Sequence, residues 1–177
     1  KYIPSKEQMN LTEYYGQPAE GEMVLVLGTD IMEERALKSG DQIYLPQDIV
    51  STYLNQRYYW DSGNQQILYA TPSSLEKFPA SEAGDGEVWV RDGKVYLSLS
   101  FVQKYTDLDF YEYQEPARVV IRHEFTGVNV ATVKKDTSIR YRGGIKSPVL
   151  TEVKKGDTLI YMQALEDWVQ VSTIDGY

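Results

Sequence analysis

The sequence predicts an α+β fold in which a duplicated strand-strand-helix-strand-strand domain, with antiparallel sheet around short helices, is followed by a small all-β barrel. Three observations lead to this prediction. The stretch IYLPQDIVSTYLNQRYYWD (43–61) is nearly repeated, 52 residues later, by VYLSLSFVQKYTDLDFYEY (95–113). Each copy holds one short segment whose apolar residues recur at helical spacing, between strand-like runs. After Ala131, only strand-length apolar runs occur, and turn signals separate them.

The first copy, residues 23–70, follows a polar lead over residues 1–22. It opens with MVLVLG, which is typical of a buried strand that ends in a turn. Pro46 suits the first position of a helix, because its fixed φ is helical and its missing N–H is not needed there. The helix is predicted to run from Gln47 to about Asn55. After it, RYYWD, the turn SGN and the run QQILYA predict a hairpin.

The second copy, residues 87–124, aligns with the first at an offset of 52 without gaps. Ser98 takes the place of Pro46 and can cap the helix with its hydroxyl. Upstream the offset changes to 65, where GEV aligns with GEM, so we expect a longer hairpin in the first copy. Residues 71–86, rich in Pro, Ser and Gly, predict a linker or a long loop. Because about 50 residues bury a core poorly, both copies are expected to pack as one pseudo-symmetric domain over residues 23–128.

The segment from residue 131 to residue 177 has a different pattern. Five short apolar runs follow one another: ATV, SIRY, PVLTEV, TLIYM and WVQVST. The turn signals between and after them are KKD, RGG, KKGD, LED and DG. No helix-length segment fits between these turns. The pattern therefore predicts five short strands in a small, strongly bent barrel.

The distribution of charge disfavours nucleic acid as a partner. The formal net charge is −8, and residues 131–177 hold seven Lys/Arg against six Asp/Glu. The first 130 residues hold the remaining 11 basic and 20 acidic residues, a net charge of −9. An acidic surface repels phosphate backbones, and no basic stripe interleaves with aromatic residues. An anionic lipid surface is disfavoured for the same reason.

The residue types exclude several kinds of site. The chain has no cysteine, which excludes disulfides, thiolate metal sites and a cysteine nucleophile but does not fix the compartment. No apolar run approaches the ~18 residues of a membrane span, so no span is expected in this chain. The sequence starts at Lys1 rather than at Met, and we expect a signal or an anchor upstream.

The repeated half carries a recognisable set of residues in its first copy: Tyr44-Leu45-Pro46, Val50, Tyr59-Trp60-Asp61 and Ile67. With these residues it resembles the copper amine oxidase N-terminal-like domain of exported Firmicutes proteins, in which such a half-repeat occurs in tandem. The second copy departs from the pattern, because Ser98 replaces Pro46 and Glu112-Tyr113 replaces Trp60-Asp61. Copper is not carried over from that name, since a copper site needs several imidazole or sulfur ligands and this chain has a single histidine. We expect neither a metal nor a cofactor.

The last segment carries a second set: Ile139-Arg140-Tyr141-Arg142, Gly143-Gly144, Val153, Lys155-Gly156-Asp157, Trp168-Val169-Gln170-Val171 and Asp175-Gly176-Tyr177. With these residues it resembles a bacterial Src-homology-3-like domain. In that family the ending DGxxGYV forms the closing strand. Here the sequence stops at Tyr177, so we expect the closing strand to be missing.

The order of these two modules, after the lead KYIPSKEQMNLTEYYG, is similar to the N-terminal half of secreted Clostridia-type proteins. The C-terminal half of those proteins is a family 18, chitinase-like glycoside hydrolase. The resemblance implies a secreted or cell-surface, extracytoplasmic location in a Gram-positive type bacterium. It also implies that the partners are peptidoglycan or another polysaccharide and the parent's own C-terminal catalytic domain, which this sequence does not contain.

Catalytic chemistry is not predicted for this chain. Family 18 hydrolases carry a DxxDxDxE run, and the nearest stretch here is TDLDFYE, in which Glu112 lies three rather than two positions after Asp109. A carboxylate pair also needs a cleft that holds the sugar, which nothing in the sequence predicts. His123 is expected at a strand end near solvent, with no nucleophile motif such as G-x-S-x-G to accompany it.

Binding of a glycan remains open, because sugars are held by aromatic faces together with a few directed hydrogen bonds. The candidate ligand-binding residues are Tyr141, Trp168 and Tyr177, with Arg140 or Arg142 to meet a carboxylate. Tyr161 is a further aromatic candidate in the barrel. The competing interpretation is that Trp168 and Tyr161 form the barrel's core.

Three hypotheses follow for the function. The first is a non-catalytic wall-targeting or polysaccharide-targeting module, with the barrel as its contact point. The second is a structural spacer that positions the catalytic domain and binds no glycan. The third is a set of modules that contact the catalytic domain of a spore-associated or cortex-associated hydrolase. An exposed aromatic groove beside an arginine favours the first, buried aromatics favour the second, and a large apolar patch near the C-terminus favours the third.

Overall fold

The computed structural model describes residues 2–123, 129–173 and 176–177. Parts of the predicted domain over 23–128 and of the DGY ending therefore lie outside the described residues. The fold is mostly β-sheet with few short helices, which is compatible with an α+β or a mainly β class. The helices are α1 (Leu11–Tyr15), α2 (Gln47–Ile49), which continues into a π-helical turn (Val50–Leu54), and α3 (Leu99–Tyr105). In the described part of the chain, no helix combines the length and the apolar character that crossing a membrane requires.

The chain divides into two compact units. The central unit comprises Pro18–Glu112 and Ala117–Glu124, and the terminal unit comprises Lys1–Gln17, Tyr113–Pro116 and Phe125–Tyr177. Most of the polar lead thus belongs to the same unit as the C-terminal segment, which the sequence pattern did not indicate.

The central unit contains two sheets. Its strands are β1 (Glu22–Leu27), β2 (Asp30–Ile31), β3 (Ala36–Ser39), β4 (Gln42–Pro46), β5 (Tyr58–Asp61), β6 (Gln66–Ala70), β7 (Leu75–Pro79), β8 (Val88–Arg91), β9 (Lys94–Ser98), β10 (Leu108–Tyr113) and β11 (Arg118–His123). The larger sheet has the order β10-β11-β1-β3-β4-β9-β8, with β2 paired to β1, and the smaller one is β5-β6-β7. The expected antiparallel sheet is corrected in one place, since β1 runs parallel to β11 with Val24 opposite Arg118. A parallel pair needs a long connection, and most of the unit lies between these two strands.

The register at the middle of the larger sheet relates the two copies. Strands β4 and β9 pair antiparallel with Leu45 opposite Leu97, and these two residues are 52 positions apart. The hairpins on either side are related by the same offset of 52 residues. Leu37 pairs with Tyr44 in the hairpin of β3 and β4, and Trp89 pairs with Tyr96 at the equivalent positions of the hairpin of β8 and β9. The strand before β4 is therefore β3 and not the MVLVL strand. The expected change of offset to 65 and the longer first hairpin are wrong for this reason.

Residues 71–86, expected to be a linker, form part of the fold. Strand β7 lies within them and pairs with β6 along five positions. Ser81 then exchanges two backbone hydrogen bonds with β8, and Gly84 lies against the indole of Trp89. A Cβ at Gly84 would come within 2.9 Å of two ring carbons, and its φ of +68° also favours glycine. The linker prediction is corrected because a high Pro, Ser and Gly content marks turns as well as linkers.

The helices of the central unit pack on its sheets through a mainly apolar core that includes Tyr58 and Tyr69, and the unit also buries the polar residues Ser98, Thr106, Arg118 and Arg122. Ser98 caps α3 as predicted, since its Oγ accepts a hydrogen bond from the Phe101 N–H at 3.2 Å. Pro46 ends β4 and stands just before the first helical residue, one position earlier than predicted. Tyr58, fully buried on β5, donates its hydroxyl hydrogen to the carbonyls of Phe101 and Val102.

The terminal unit is built from two smaller sheets and the N-terminal lead. Its strands are β12 (Asn129–Thr132), β13 (Thr137–Arg140), β14 (Val149–Val153), β15 (Thr158–Leu165) and β16 (Trp168–Ser172). One sheet has the order β12-β15-β16 and the other pairs β13 with β14. The lead extends the second sheet, because Gln8 forms a parallel bridge with Val149 at the edge of β14. A small core of Val133, Val153 and Leu159 lies between these strands.

Burial of tyrosines makes the central unit sensitive to alkaline pH. Desolvation raises the pKa of Tyr58, Tyr44 and Tyr96 above the ordinary value of 10.0. The folded state then holds these protons more tightly than the unfolded state, so stability is complete below the unfolded pKa and is lost as the pH rises above it. We expect the free energy of unfolding in urea to be level from about pH 8 to about pH 9.5 and to fall by about pH 11. A free energy that stays level across this range would contradict the expectation.

Candidate functional site

The loop between β13 and β14, residues 141–148, carries two of the predicted ligand-binding residues. Its backbone is closed by hydrogen bonds from the Tyr141 N–H to the Pro148 carbonyl at 2.9 Å and from the Ser147 N–H to the Gly144 carbonyl at 3.0 Å. The hydroxyl of Ser147 also accepts a hydrogen bond from the Arg142 N–H at 3.0 Å. These bonds hold the loop in one conformation and present its first residues at the surface.

Tyr141 and Arg142 form a stacked pair at this surface. The guanidinium carbon of Arg142 lies 4.8 Å from the centre of the Tyr141 ring, within the range of a cation–π contact. The ring keeps 37% of its surface exposed, and Arg142 is exposed as well. One ring and five guanidinium N–H donors are thus available side by side, which suits a ligand with both C–H faces and oxygen acceptors.

Trp168 lies against the same loop at its glycine. A Cβ built on Gly143 would stand 3.0 Å from Cγ of Trp168, so the backbone touches the indole directly. Trp168 is half-buried at the start of β16, where it pairs with Leu165. Trp168 is therefore packed on the side that faces Gly143 and is only partly exposed to solvent.

The lead supplies two further aromatic rings that sequence reasoning missed. The ring of Tyr14 meets that of Tyr141 edge to face at 5.6 Å, and it contacts Tyr15 at 4.7 Å. The hydroxyl of Tyr15 donates to the carbonyl of Gly176 at 3.1 Å. Burial, followed by the proximity of Tyr141, raises the pKa of Tyr14.

A local signal in the sequence could have placed these rings on a helix. Asn10 caps α1 by accepting a hydrogen bond from the Glu13 N–H at 2.8 Å, and Gly16 ends the helix with a φ of +85°. The motif NLTE followed by YYG is a capping signature. A helix of five residues is unstable alone, so α1 depends on its contacts within the terminal unit.

Arg140 and Tyr177, the two remaining predicted ligand-binding residues, form hydrogen bonds with other parts of the terminal unit. The guanidinium of Arg140 donates to the carbonyls of Ser5 at 3.0 Å and Ser147 at 2.7 Å, which ties the lead to the loop. This use of its hydrogens gives Arg140 a structural role, so we do not retain it as a ligand contact. Tyr177 is half-buried, and its backbone N–H donates to the hydroxyl of Thr173 at 2.9 Å.

A series of contacts thus connects four of the five predicted residues within one unit. Trp168 touches Gly143, which follows Arg142, and the tyrosines of α1 link Tyr141 to the segment of Tyr177. No protein-family model, curated protein or solved structure matches this chain. The two family resemblances therefore stay expectations, and the candidate site rests on its geometry alone.

The acidic residues of TDLDFYE lie on β10 or just before it, and His123 lies at the end of the neighbouring strand β11. Glu112 forms an ion pair with Lys38, whose Nζ lies 2.6 Å from Oε2, while Asp107 and Asp109 are exposed. His123 is half-buried at the end of β11, as expected for a strand-end histidine. Within residues 2–123, 129–173 and 176–177, no group of three or more His, Asp or Glu residues could hold a metal ion.

Proposed function

We propose that this chain is a non-catalytic module that associates with cell-wall or other polysaccharide, and that Tyr141, Arg142 and Trp168 form its contact surface. The parent protein is a secreted glycoside hydrolase of the family 18, chitinase-like type, acting in carbohydrate or cell-wall metabolism. In that arrangement the chain holds the catalytic domain near its insoluble substrate.

The observation that carries the proposal is the exposed Tyr141 ring with the Arg142 guanidinium stacked beside it. Sugar rings offer apolar C–H faces to aromatic rings, and their hydroxyl or carboxylate oxygens accept hydrogen bonds from a guanidinium. The closed loop and the contact between Gly143 and Trp168 hold the backbone that carries both groups before a ligand arrives, which lowers the entropy cost of binding.

Replacement of Tyr141 by Ala is expected to weaken retention on an insoluble polysaccharide by about two- to tenfold, which corresponds to the 0.5–1.5 kcal/mol of one aromatic contact. The measurement is co-sedimentation of the purified chain with insoluble peptidoglycan and, separately, with chitin. Circular dichroism of the variant checks that the fold is kept.

Tyr59→Ala is the matched control, because Tyr59 is a strand tyrosine of the central unit with 63% of its surface exposed. Its retention should equal that of the unaltered chain. Equal losses for Tyr141→Ala and Tyr59→Ala would refute the assignment of the contact surface. Absence of retention on both polymers would refute the proposed function itself.

A second candidate function is a structural spacer that binds no glycan. Two contacts favour it: Arg140 is tied to the backbone of the lead, and Trp168 is packed against Gly143. Such contacts stiffen a module and reduce the aromatic surface it offers. Absence of retention in the sedimentation experiment would favour this candidate over the first.

We also propose that the central unit arose by duplication of one strand-strand-helix-strand-strand half, in keeping with a scaffold, and that the terminal unit is a Src-homology-3-like barrel. The pairing of Leu45 with Leu97 supports the duplication, because an antiparallel pair of equivalent residues lies on a local two-fold axis. The five short strands β12–β16 around a small core support the barrel.

A further inference from the structure

Two turns of the terminal unit have nearly the same sequence and lie side by side. The turn between β12 and β13 reads VKKD (133–136), and the turn between β14 and β15 reads VKKGD (153–157). The valine that opens each turn, Val133 or Val153, is buried in the small core of the unit. Both turns are thereby anchored from the inside, and the pair of lysines that follows each valine is exposed.

Backbone hydrogen bonds join the two turns directly. The Val133 N–H donates to the Asp157 carbonyl at 2.9 Å, and the Gly156 N–H donates to the Val133 carbonyl at 2.8 Å. The Lys155 N–H donates to Oδ1 of Asp136 at 2.9 Å. The bonds run in both directions between the turns, so the four lysines are held on one end of the unit. We call Lys134, Lys135, Lys154 and Lys155 the lysine tip.

The carboxylates in and beside the two turns accept hydrogen bonds from other groups. Asp136 accepts the hydrogen bond from the second turn, and Asp157 accepts one from the Lys154 N–H at 2.8 Å. Both oxygens of Glu152, on β14, accept from the hydroxyl of Ser138 at 2.9 Å. None of the ion pairs formed among the described residues includes a lysine of the tip.

The lysine tip contrasts in charge with the rest of the chain. Four of the 18 Lys and Arg residues stand in these two short turns, against two aspartates, while the whole chain carries −8. Four ammonium groups on flexible stems can each meet a separate anionic group, and binding several at once multiplies weak single contacts. Such a tip fits a linear polymer with closely spaced negative charges.

We infer that the lysine tip binds a phosphate-bearing polymer that lacks bases. Lysine ammoniums are compact point charges that can each meet a separate phosphate group, and neither turn contains an arginine for bidentate recognition. Neither turn contains an aromatic ring, so the stacking that holds single-stranded nucleic acid is not available there. This site is separate from the Tyr141 surface and does not depend on the proposed function.

The test measures binding of the chain to labelled long-chain inorganic polyphosphate as a function of salt. We expect binding at low salt, with an affinity that falls steeply as salt rises. In the variant K134Q/K135Q/K154Q/K155Q the affinity should drop by about tenfold or more. The slope of log affinity against log salt should decrease by about 0.7 for each phosphate that the variant no longer neutralises.

The matched control is K6Q/K77Q/K104Q/K146Q, which removes four other exposed lysines and gives the same net charge. It should retain most of the affinity, and Tyr141→Ala should leave the affinity unchanged. No binding by the unaltered chain, or equal losses in the two quadruple variants, would overturn the inference. Binding of polyglutamate or oligo-dT as tight as that of polyphosphate, with the same dependence on the tip, would overturn the assignment to a phosphate polymer.

Discussion

Replacement of Leu45 by Ala is expected to lower the free energy of unfolding of the central unit by about 2–5 kcal/mol, and replacement of Leu97 by Ala should lower it by a similar amount. Both side chains are fully buried and lie opposite each other on β4 and β9. Each truncation removes apolar contacts and leaves a cavity that the surrounding sheet and helices cannot fill. Urea unfolding followed by tryptophan fluorescence gives both values.

The control for this pair is Leu75→Ala, which removes the same atoms from a leucine with 54% of its surface exposed. Its effect should stay within about 0.5 kcal/mol, as for most surface substitutions. The proposed duplication further predicts that the Leu45 and Leu97 substitutions lower the free energy of unfolding by similar amounts, since equivalent residues would have equivalent surroundings. A large loss in one variant and a small loss in the other would contradict the local two-fold relation.

Local patterns in the sequence identified many of the elements. Each of the five apolar runs after Ala131 overlaps one of the strands β12–β16, and RYYWD with QQILYA form the hairpin of β5 and β6. Ser98 caps α3 as its position before the helix predicts. These features depend on residues within a few positions of one another, where alternation, turn residues and capping side chains act directly.

Long-range pairing could not be derived in the same way. The parallel pairing of β1 with β11 joins strands from the two ends of the central unit's sequence, and no local pattern encodes it. The addition of the lead to β14 is of the same kind, since the polar residues around Gln8 have no strand pattern and pair through their backbone.

The candidate site likewise combines residues that the sequence could identify with contacts that it could not. Tyr141, Arg142 and Trp168 could be selected from residue type, because rings and guanidinium groups are the groups that contact sugars. The contact of Tyr14 with Tyr141 joins opposite ends of the chain, and the structural use of Arg140 depends on carbonyls that no sequence motif points to. Residue type thus identified the candidates. The fold was needed to distinguish the exposed pair Tyr141 and Arg142 from Arg140, whose guanidinium is bound to backbone carbonyls.

Replacement of Tyr58 by Phe is expected to lower the free energy of unfolding by about 1–3 kcal/mol, although it removes a single oxygen. The hydroxyl of Tyr58 donates to the carbonyls of Phe101 at 2.7 Å and of Val102 at 3.0 Å. Val102 is one of the last four residues of α3, whose carbonyls have no partner within the helix, and without the hydroxyl the two carbonyls would be buried with one donor fewer. Urea unfolding at neutral pH measures the loss.

Tyr59→Phe is the matched control, because the neighbouring tyrosine is exposed and its change should be close to zero. A second readout, the stability at alkaline pH, tests whether Tyr58 contributes to the pH dependence. Desolvation raises the pKa of Tyr58, so the Phe variant should be less stable at neutral pH and should also lose less stability above about pH 10 than the unaltered chain. An unchanged alkaline slope would mean that Tyr44 and Tyr96 account for the pH dependence. A neutral-pH effect as small as that of Tyr59→Phe would show that the two carbonyls do not need the hydroxyl, and the tie between β5 and α3 would then rest on the packing of the ring.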